Sequence, residues 1–348
     1  TLNAANGTVE MSGSATQTIS SNTFDNNTIN NLIINNTAGV ILLDSLKISG
    51  IVTLENGNLT TGGYLTLLSS ATQTAMIAGS GNGSLSGNIT MQRYLPSRFG
   101  YKYFSSPFQS ATVNEFSDEM DLGTTFPMFY RYDESRTSSG WVAYNNPSDI
   151  LHPLHGYAAN FGSQSVPVIT DITGQVNDGS VSVTLYNNNN PWTEGFNLVG
   201  NPYPSAVDWD IPAGWTKTNI DDALYYFKAS TTDQYGGTYS SYVGTVSSDE
   251  LATNIIPSMQ GFFVHVSDGS FPVEAYLEVN NNARITDLTH SFLKSGKGPS
   301  KPLIRLAARF SDDPASADPL VVYFDEKAMT SFDSSLDALK LMNTDLNV

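Results

Sequence analysis

The sequence predicts an all-β protein, with a short N-terminal parallel β-solenoid, a jelly-roll-like antiparallel β-sandwich and a small C-terminal β-sandwich. Three observations predict this fold. Gly, Asn, Ser and Thr are abundant while charged residues form only 14% of the 348-residue chain, a balance typical of many turns. Tyr and Phe, at 17 each, supply strand formers and core volume. Short apolar runs separated by Asn, Gly or Ser recur along the first third of the chain.

The first region, residues 1–91, is predicted to be the solenoid. Its apolar runs follow one another too closely for each to carry a hairpin turn of its own. Stacked coils need this pattern, because alternate side chains fill a continuous interior while Asn and Gly occupy the corners. An ordinary antiparallel sandwich of short strands is the alternative. The runs lie at residues 31–35, 40–43, 46–50, 51–57, 58–63 and 64–68.

Residues 92–286 are predicted to form an aromatic-rich β-sandwich, because short strand-like runs alternate there with polar turns. Two runs organise this region. One, at residues 196–199, enters a turn fixed by Pro202 and Pro204. The other, at residues 262–266, alternates as a half-buried strand should. We expect these two strands to be partners in one sheet.

Two local features of the same region are also predicted. Asn177-Asp178-Gly179 lies between two strand-like runs and has the composition of a hairpin turn. A single helical turn is expected to begin near Asn219, because Asp221 and Asp222 follow it and precede apolar residues. Other helix signals are weak.

Several segments carry a family pattern: residues 87–96, 195–209, 256–266 and 281–284, and in the tail residues 318–328, 332–333 and 336–341. They resemble a module of large secreted surface proteins of Bacteroidota-like bacteria, in which it lies just before the C-terminal signal of the type IX secretion system. The resemblance implies an extracellular or cell-surface location, and export by the type IX secretion machinery. It also implies a sorting domain after Val348, either cleaved or outside this sequence. It implies no ligand or reaction, because such modules occur on adhesins and enzymes alike.

The C-terminal part is predicted to begin with a linker at residues 287–300, which is rich in Gly, Ser and Lys. Residues 301–348 are then assigned to the C-terminal β-sandwich portion. Strands are expected at residues 303–310 and 319–324, with a turn at residues 311–314 between them and a helical turn after Ser331.

Charge and composition exclude several classes of partner. The net charge of −17 repels nucleic acid phosphates and anionic membrane surfaces. No apolar run is long enough to span a bilayer, and the lack of cysteine excludes disulfides and thiolate metal ligands. An excess of carboxylates is compatible with a structural Ca²⁺ ion. We expect no other cofactor.

No pattern in the sequence indicates catalysis. His152 and His155 are three residues apart, but Pro153 prevents a helix, and on a strand the two rings would point to opposite faces. We therefore expect a loop there rather than a metal pair. The acidic clusters lack EF-hand spacing, and neither a nucleophile elbow nor a phosphate-binding loop is present. We predict a non-enzyme with no assignable metal ligands.

Tryptophans are the candidate ligand-binding residues, since exposed aromatic rings can stack on sugar rings. Trp192, beside the 187–190 asparagine run, and Trp141 are the predicted sugar-stacking side chains. Trp209 and Trp215 are natural candidates of the same kind. Filling of the core is the alternative for all four residues.

Three functions are compatible with these features. The first is a non-catalytic structural or adhesive portion of a secreted bacterial cell-surface protein, which contacts surface glycans or other surface proteins. The second is a carbohydrate-binding accessory module of a larger polysaccharide-degrading enzyme. The third is a β-helix enzyme such as a polysaccharide lyase. The solenoid strands lack a Lys, Arg and Asp constellation, which argues against the third.

Overall fold

The computed structural model describes residues 1–288, 301–309 and 317–341. The predicted all-β fold is confirmed: a solenoid of about four turns precedes several antiparallel sheets. The helices of the described residues are three short 3-10 turns at Val113–Phe116, Pro212–Gly214 and Asn281–Ala283. No helix in these ranges is long and apolar enough to cross a membrane.

The solenoid is built from parallel strands in two sheets, of which two strands are long and the others short. Its strands are β1 (Leu2–Gly13), β2 (Gln17–Ile19), β3 (Phe24–Asn36), β4 (Val40–Leu42), β5 (Leu46–Ile48), β6 (Ile51–Asn56), β7 (Asn58–Thr60), β8 (Leu65–Leu67), β9 (Met76–Ile77), β10 (Ser84–Ser86) and β11 (Ile89–Leu95).

Apolar side chains stack from coil to coil inside the solenoid. Ile29 lies beside Ile48, and Ile48 beside Leu67, so one coil takes about twenty residues. All three side chains are fully buried. Each contributes roughly 1.5–3 kcal/mol by leaving water, and none could be buried by a single coil.

Asn36 and Gly57 form one corner of the coils. The Asn36 amide nitrogen donates to the Ala15 carbonyl and to Gln17 Oε1, both at 2.8 Å, and its Oδ1 accepts from the Ala38 N–H at 2.9 Å. Gly57 has a φ of 81° and passes directly over Asn36. A Cβ at Gly57 would lie 1.8 Å from the Asn36 carbonyl oxygen, so the next coil can close only with glycine there.

The central region contains fifteen strands after β11. They are β12 (Tyr101–Ser105), β13 (Phe129–Tyr132), β14 (Trp141–Ala143), β15 (Gly156–Asn160), β16 (Val168–Gly174), β17 (Val181–Asn187), β18 (Phe196–Gly200), β19 (Ala206–Asp208), β20 (Trp215–Thr218), β21 (Leu224–Ala229), β22 (Gly237–Val243), β23 (Val246–Ser247), β24 (Ile255–Ile256), β25 (Gly261–His265) and β26 (Val273–Val279).

Three of its sheets are stacked as layers. The middle layer is the five-stranded sheet in the order β18-β25-β21-β22-β23. One face packs on the three-stranded sheet β17-β26-β20 through a core that includes Phe262 and Leu277. The other face packs on the four-stranded sheet β12-β15-β13-β14 through a core that includes Phe263 and Tyr103. The far side of that four-stranded sheet joins the solenoid interior through Phe104 and Phe129.

The two organising strands are partners, as predicted. β18 and β25 run antiparallel, with Phe196 opposite His265 and Gly200 opposite Gly261. The expectation that the second strand is half-buried is wrong, because every residue of β25 is buried. The sheet lies between two others, so both of its faces are covered.

The boundary predicted between residues 91 and 92 falls inside β11. This strand pairs in parallel with β8 of the solenoid and antiparallel with β16 of the central region. A second contact crosses the same junction, where Arg284 Nη2 donates to the Ile77 carbonyl at 2.6 Å. The solenoid sheet therefore continues into the sandwich through shared strands.

Two predicted local features differ from the structure. Asn177-Asp178-Gly179 is not a hairpin turn, because β16 pairs with β11 whereas β17 pairs with β26 in another sheet. The helical turn expected near Asn219 is absent from this described segment. Asn219 has a φ of 56°, which ends the preceding strand in a tight turn instead.

The C-terminal elements pack on the central region. A short strand, β27 (Arg284–Ile285), precedes the antiparallel pair β28 (Leu303–Arg309) and β29 (Ala317–Tyr323). Arg305 Nη1 donates to the Ser248 carbonyl at 2.9 Å, which ties this pair to β23 and its turn. The predicted helical turn after Ser331 is present as a single turn, in which the Asp333 carbonyl accepts from the Asp337 N–H at 2.7 Å and the Asp333 Oδ1 accepts from the Ser335 N–H at 2.9 Å. Most of the predicted linker, at residues 289–300, and the turn at residues 311–314 lie outside the described residues.

Candidate functional site

A cleft of about 470 Å³ lies between the four-stranded and five-stranded sheets, in the size range of small-molecule sites. We call it the aromatic cleft, because eight of its lining residues carry aromatic rings. The lining consists of Tyr101, Tyr103, Phe126, Tyr130, Trp141, Ala158, Phe227, Tyr235, Gly237 and Tyr239.

The wall from the four-stranded sheet is shaped by one small residue between two large ones. Ala158 on β15 is directly opposite Tyr103 on one side and Tyr130 on the other. Neighbouring strands place such side chains on one face of the sheet, so the short Ala158 side chain leaves a depression flanked by phenol rings. Trp141 on β14 extends this wall, with its ring centroid 5.6 Å from that of Tyr103.

The wall from the five-stranded sheet depends on a glycine. Phe227 on β21 is opposite Tyr239 on β22, and its ring stacks on Tyr103 across the two sheets at 4.8 Å and 15°. A Cβ at Gly237 would lie 2.3 Å from the Phe227 ring. The absence of a side chain at Gly237 therefore allows Phe227 to occupy this position.

Phenol hydroxyl groups supply the polar atoms of the cleft. The Tyr103 and Tyr239 hydroxyls are 2.9 Å apart and join the two sheets. Burial raises the pKa of Tyr101 and of Tyr239 to about 12. The pKa of Tyr130 is raised by the same cause. These groups are therefore neutral at physiological pH, and each can donate one hydrogen bond and accept others.

Two exposed aromatic residues form the rim. Phe126 and Tyr235 are 55% and 54% exposed, on loops from opposite sides of the cleft. Their ring centroids lie 5.5 Å apart at 72°, an edge-to-face contact. The rim can therefore add contact area to a ligand that enters between the sheets.

In the part of the chain that the structure describes, no charged side chain lines the aromatic cleft. The ten lining residues include no Asp, Glu, His, Lys or Arg. Lys102, which lies between Tyr101 and Tyr103 in the sequence, turns its ammonium group to the carbonyl oxygens of Phe99 and Tyr101, at 2.6 and 3.4 Å. The cleft can therefore hold an apolar, hydroxyl-rich molecule, but its lining offers no carboxylate or imidazole for proton transfer.

The four tryptophans occupy different environments. Trp141 lines the aromatic cleft. Trp192 is 70% exposed and lies outside the cleft. Trp209 and Trp215 fill the core, and their indole N–H groups donate to the Asp222 and Asp208 carbonyls at 2.8 Å each. The structure thus separates the two predicted sugar-stacking residues, and it places only Trp141 beside other aromatic side chains of a cleft.

A buried carboxylate holds the loop that carries Trp192. Glu134 is 5% exposed and accepts from the Asn188 N–H at 3.1 Å and from the Asn188 amide at 2.5 Å. The Thr193 hydroxyl donates to the Glu134 carbonyl at 2.8 Å. The exposure of Trp192 is therefore the result of an anchored loop.

The predicted loop at the histidine pair is present, with ring centroids of His152 and His155 5.6 Å apart just before β15. His265 is buried inside the protein, where its Nδ1 lies 2.6 Å from the Asp221 carboxylate. In the described ranges, no group of three His, Asp or Glu side chains could hold a metal ion. The Ca²⁺ ion that the acidic composition allows therefore has no ligands assigned to it.

Most of the cleft residues were visible in the sequence as a run of aromatics. Tyr101 and Tyr103 alternate on one strand, and Tyr130 is followed by Tyr132 on another. Such alternation predicts that the aromatic side chains lie on one face of the sheet. It does not tell whether that face is buried in a core or lines an open cleft, because both have the same spacing. The interruption by Ala158, which creates the depression, could not be recognised before the strand order was known.

Comparison with known proteins gives one family. The family described as a domain of unknown function, DUF8693, matches residues 3–348. No curated protein and no solved structure matches the chain.

Proposed function

The chain belongs to the DUF8693 family, whose description names no activity, and from the geometry of the aromatic cleft we propose that it is a non-catalytic glycan-binding protein. The observation that carries the proposal is the combination of ring faces and neutral hydroxyls between the two sheets. A pyranose ring has an apolar face of C–H groups and an edge of hydroxyls. Aromatic faces and phenol hydroxyls are complementary to both.

The residues that line the cleft support binding of a glycan rather than its hydrolysis. Hydrolysis of a glycosidic bond needs two carboxyl groups on opposite sides of the bond. The described residues that line the cleft contribute no carboxyl group. Its rings are held by cross-strand pairing and by stacking, as between Phe227 and Tyr103, so the site is formed before a ligand arrives.

The setting proposed for this activity is the bacterial cell surface after type IX secretion, and it rests on the sequence resemblance alone. There the solenoid would act as a stalk that holds the cleft away from the cell, and binding would serve adhesion. An accessory module of a polysaccharide-degrading enzyme could use the same cleft. A catalytic domain encoded in the same gene would favour that second role.

Binding can be tested with exposed aromatic residues inside and outside the cleft. The purified chain is titrated with an array of oligosaccharides, and the glycan that binds is then measured by calorimetry. Phe126→Ala and Tyr235→Ala each remove a rim ring, and we expect about tenfold weaker binding, equivalent to about 1.4 kcal/mol. Trp192→Ala removes an equally exposed ring elsewhere and should leave the affinity unchanged.

Three results would contradict the proposal. Failure of every glycan to bind the folded chain would exclude the function. Binding that is lost in Trp192→Ala but kept in Tyr235→Ala would move the site to the anchored loop. Turnover of a glycan, abolished by a single carboxylate substitution, would show an enzyme instead.

A further inference from the structure

The polar surface of the aromatic cleft comes from neutral donors and acceptors. Five of the lining residues are tyrosines, which carry phenol hydroxyls, and Trp141 carries an indole N–H. A hydroxyl can both donate and accept, as sugar hydroxyls also do. The hydroxyls of the lining residues and those of a sugar can therefore form hydrogen bonds with each other without moving a charge out of water.

An anionic glycan would be disfavoured in this site. Carboxylate, sulfate or phosphate groups must lose water on entering the cleft, and no side chain among the ten described lining residues offers a positive charge in return. Lys102 is occupied by carbonyl oxygens, and Lys228 is exposed on β21 next to Phe227 without lining the cleft. The net charge of −17 adds a long-range repulsion.

A quaternary ammonium group is the other ligand that aromatic walls attract, since a cation binds over ring faces. It fits this cleft less well for two reasons. The volume of about 470 Å³ is much larger than one such group needs. A methylated ammonium also offers no hydrogen bond to the phenol hydroxyls, which would lose water without gaining a partner.

We infer, on the premise of the glycan-binding function proposed above, that the aromatic cleft is specific for neutral glycans. Its ligands are chains of hexose or pentose rings that carry no carboxylate, sulfate or phosphate group at the bound positions. Contact with the ring faces of Trp141 and the rim pair gives the affinity. The tyrosine hydroxyls disfavour anionic substituents, because they offer no positive charge to neutralise them.

The test compares neutral oligosaccharides with charged counterparts of the same backbone. Neutral gluco-, manno-, galacto- and xylo-oligosaccharides are each paired with a uronic acid, carboxymethyl or sulfated form and titrated into the full chain. For the backbone that binds, we expect the neutral member to bind at least about 100-fold more tightly. Its dissociation constant should not change between about 0.05 and 0.5 M NaCl, because no ion pair is formed.

A charge introduced at the rim provides a second readout. Phe126 is exposed, so Phe126→Lys should fold normally while placing an ammonium group at the cleft mouth. We expect this variant to bind the neutral glycan more weakly and the anionic counterpart more tightly, with a new salt dependence. Trp192→Lys adds the same charge outside the cleft and should change neither affinity.

The outcomes separate this inference from the function on which it rests. Equal or tighter binding of the anionic member to the unaltered chain overturns neutral specificity but keeps glycan binding. Choline that binds while every glycan fails overturns both and identifies an ammonium site. If neither choline nor any of the glycans binds, both the neutral specificity and the glycan-binding function are overturned.

Discussion

The hydroxyl oxygens of Tyr103 and Tyr239 are 2.9 Å apart and connect β12 to β22 across the aromatic cleft. The two residues are 136 positions apart in the chain and belong to different sheets. Stacking of Phe227 on Tyr103 reinforces the connection. The two sheets are thus held at the spacing that leaves the cleft open.

Removing one of these hydroxyls should destabilise the fold moderately. Tyr239→Phe keeps the ring but leaves the Tyr103 hydroxyl, on a buried residue, without this partner. We expect a loss of about 1 kcal/mol in the free energy of unfolding, measured by urea denaturation. Tyr64→Phe, at an exposed tyrosine, is the control and should cost less than about 0.5 kcal/mol. Equal stability of the two variants would show that the hydroxyl pair contributes nothing.

The solenoid corner should be intolerant of a side chain at Gly57. Gly57→Ala places a Cβ on the Asn36 carbonyl at a φ of 81°, so it adds a steric clash to backbone strain. We expect a loss of at least about 3 kcal/mol, seen as a lower melting temperature or a failure to fold. Gly63→Ala is a matched control, since Gly63 has a φ of 85° but open space around it. That variant should lose only about 1–2 kcal/mol. Similar losses in both would contradict the close approach of the coils.

Two adjacent aspartates should differ strongly in their effect on stability. The buried Asp221 carboxylate lies 2.6 Å from His265 Nδ1 and accepts from the Ser267 hydroxyl at 2.5 Å. Asp221→Ala removes both interactions inside the protein, and we expect a loss of about 3 kcal/mol. Asp222 pairs with Lys217 at a partly exposed site, so Asp222→Ala should cost less than about 1 kcal/mol. Thermal melting of the two variants at one pH measures the difference.

Stability should fall as the pH rises because of Glu119. Burial and the neighbouring Asp118 carboxyl raise the pKa of Glu119 to about 8. A carboxyl whose pKa is higher in the folded chain than in the unfolded chain holds its proton more tightly when folded. Its contribution to stability is therefore complete below about pH 4 and is lost as the pH rises to about 8.

Glu119→Gln should remove this part of the pH dependence, since the amide does not ionise. The melting temperatures of the variant and the unaltered chain should be similar near pH 4, and the variant should be the more stable of the two near pH 9. Glu326→Gln, at an exposed position, should follow the unaltered chain throughout. A variant as sensitive to pH as the unaltered chain would place the titration elsewhere.

The sequence by itself determined the fold class and the pairing of the organising strands. Short apolar runs around Ile29, Ile48 and Leu67 can be buried only by stacking, so their spacing specifies coils. The runs containing Phe196 and Phe262 were recognisable as strands because each is a short apolar run bounded by turn residues. These properties depend on near neighbours in the chain, which a sequence displays directly.

Tertiary structure alone decided the cleft and the environments of the tryptophans. Ala158 creates a depression only because β15 lies between the strands of Tyr103 and Tyr130, and strand order is not written in local spacing. Trp141 lines the cleft while Trp209 is buried in the core, although the residue type is the same and does not distinguish the two environments. Whether an aromatic face meets another sheet or solvent is decided by contacts between distant segments, and these exist only once the sheets have packed.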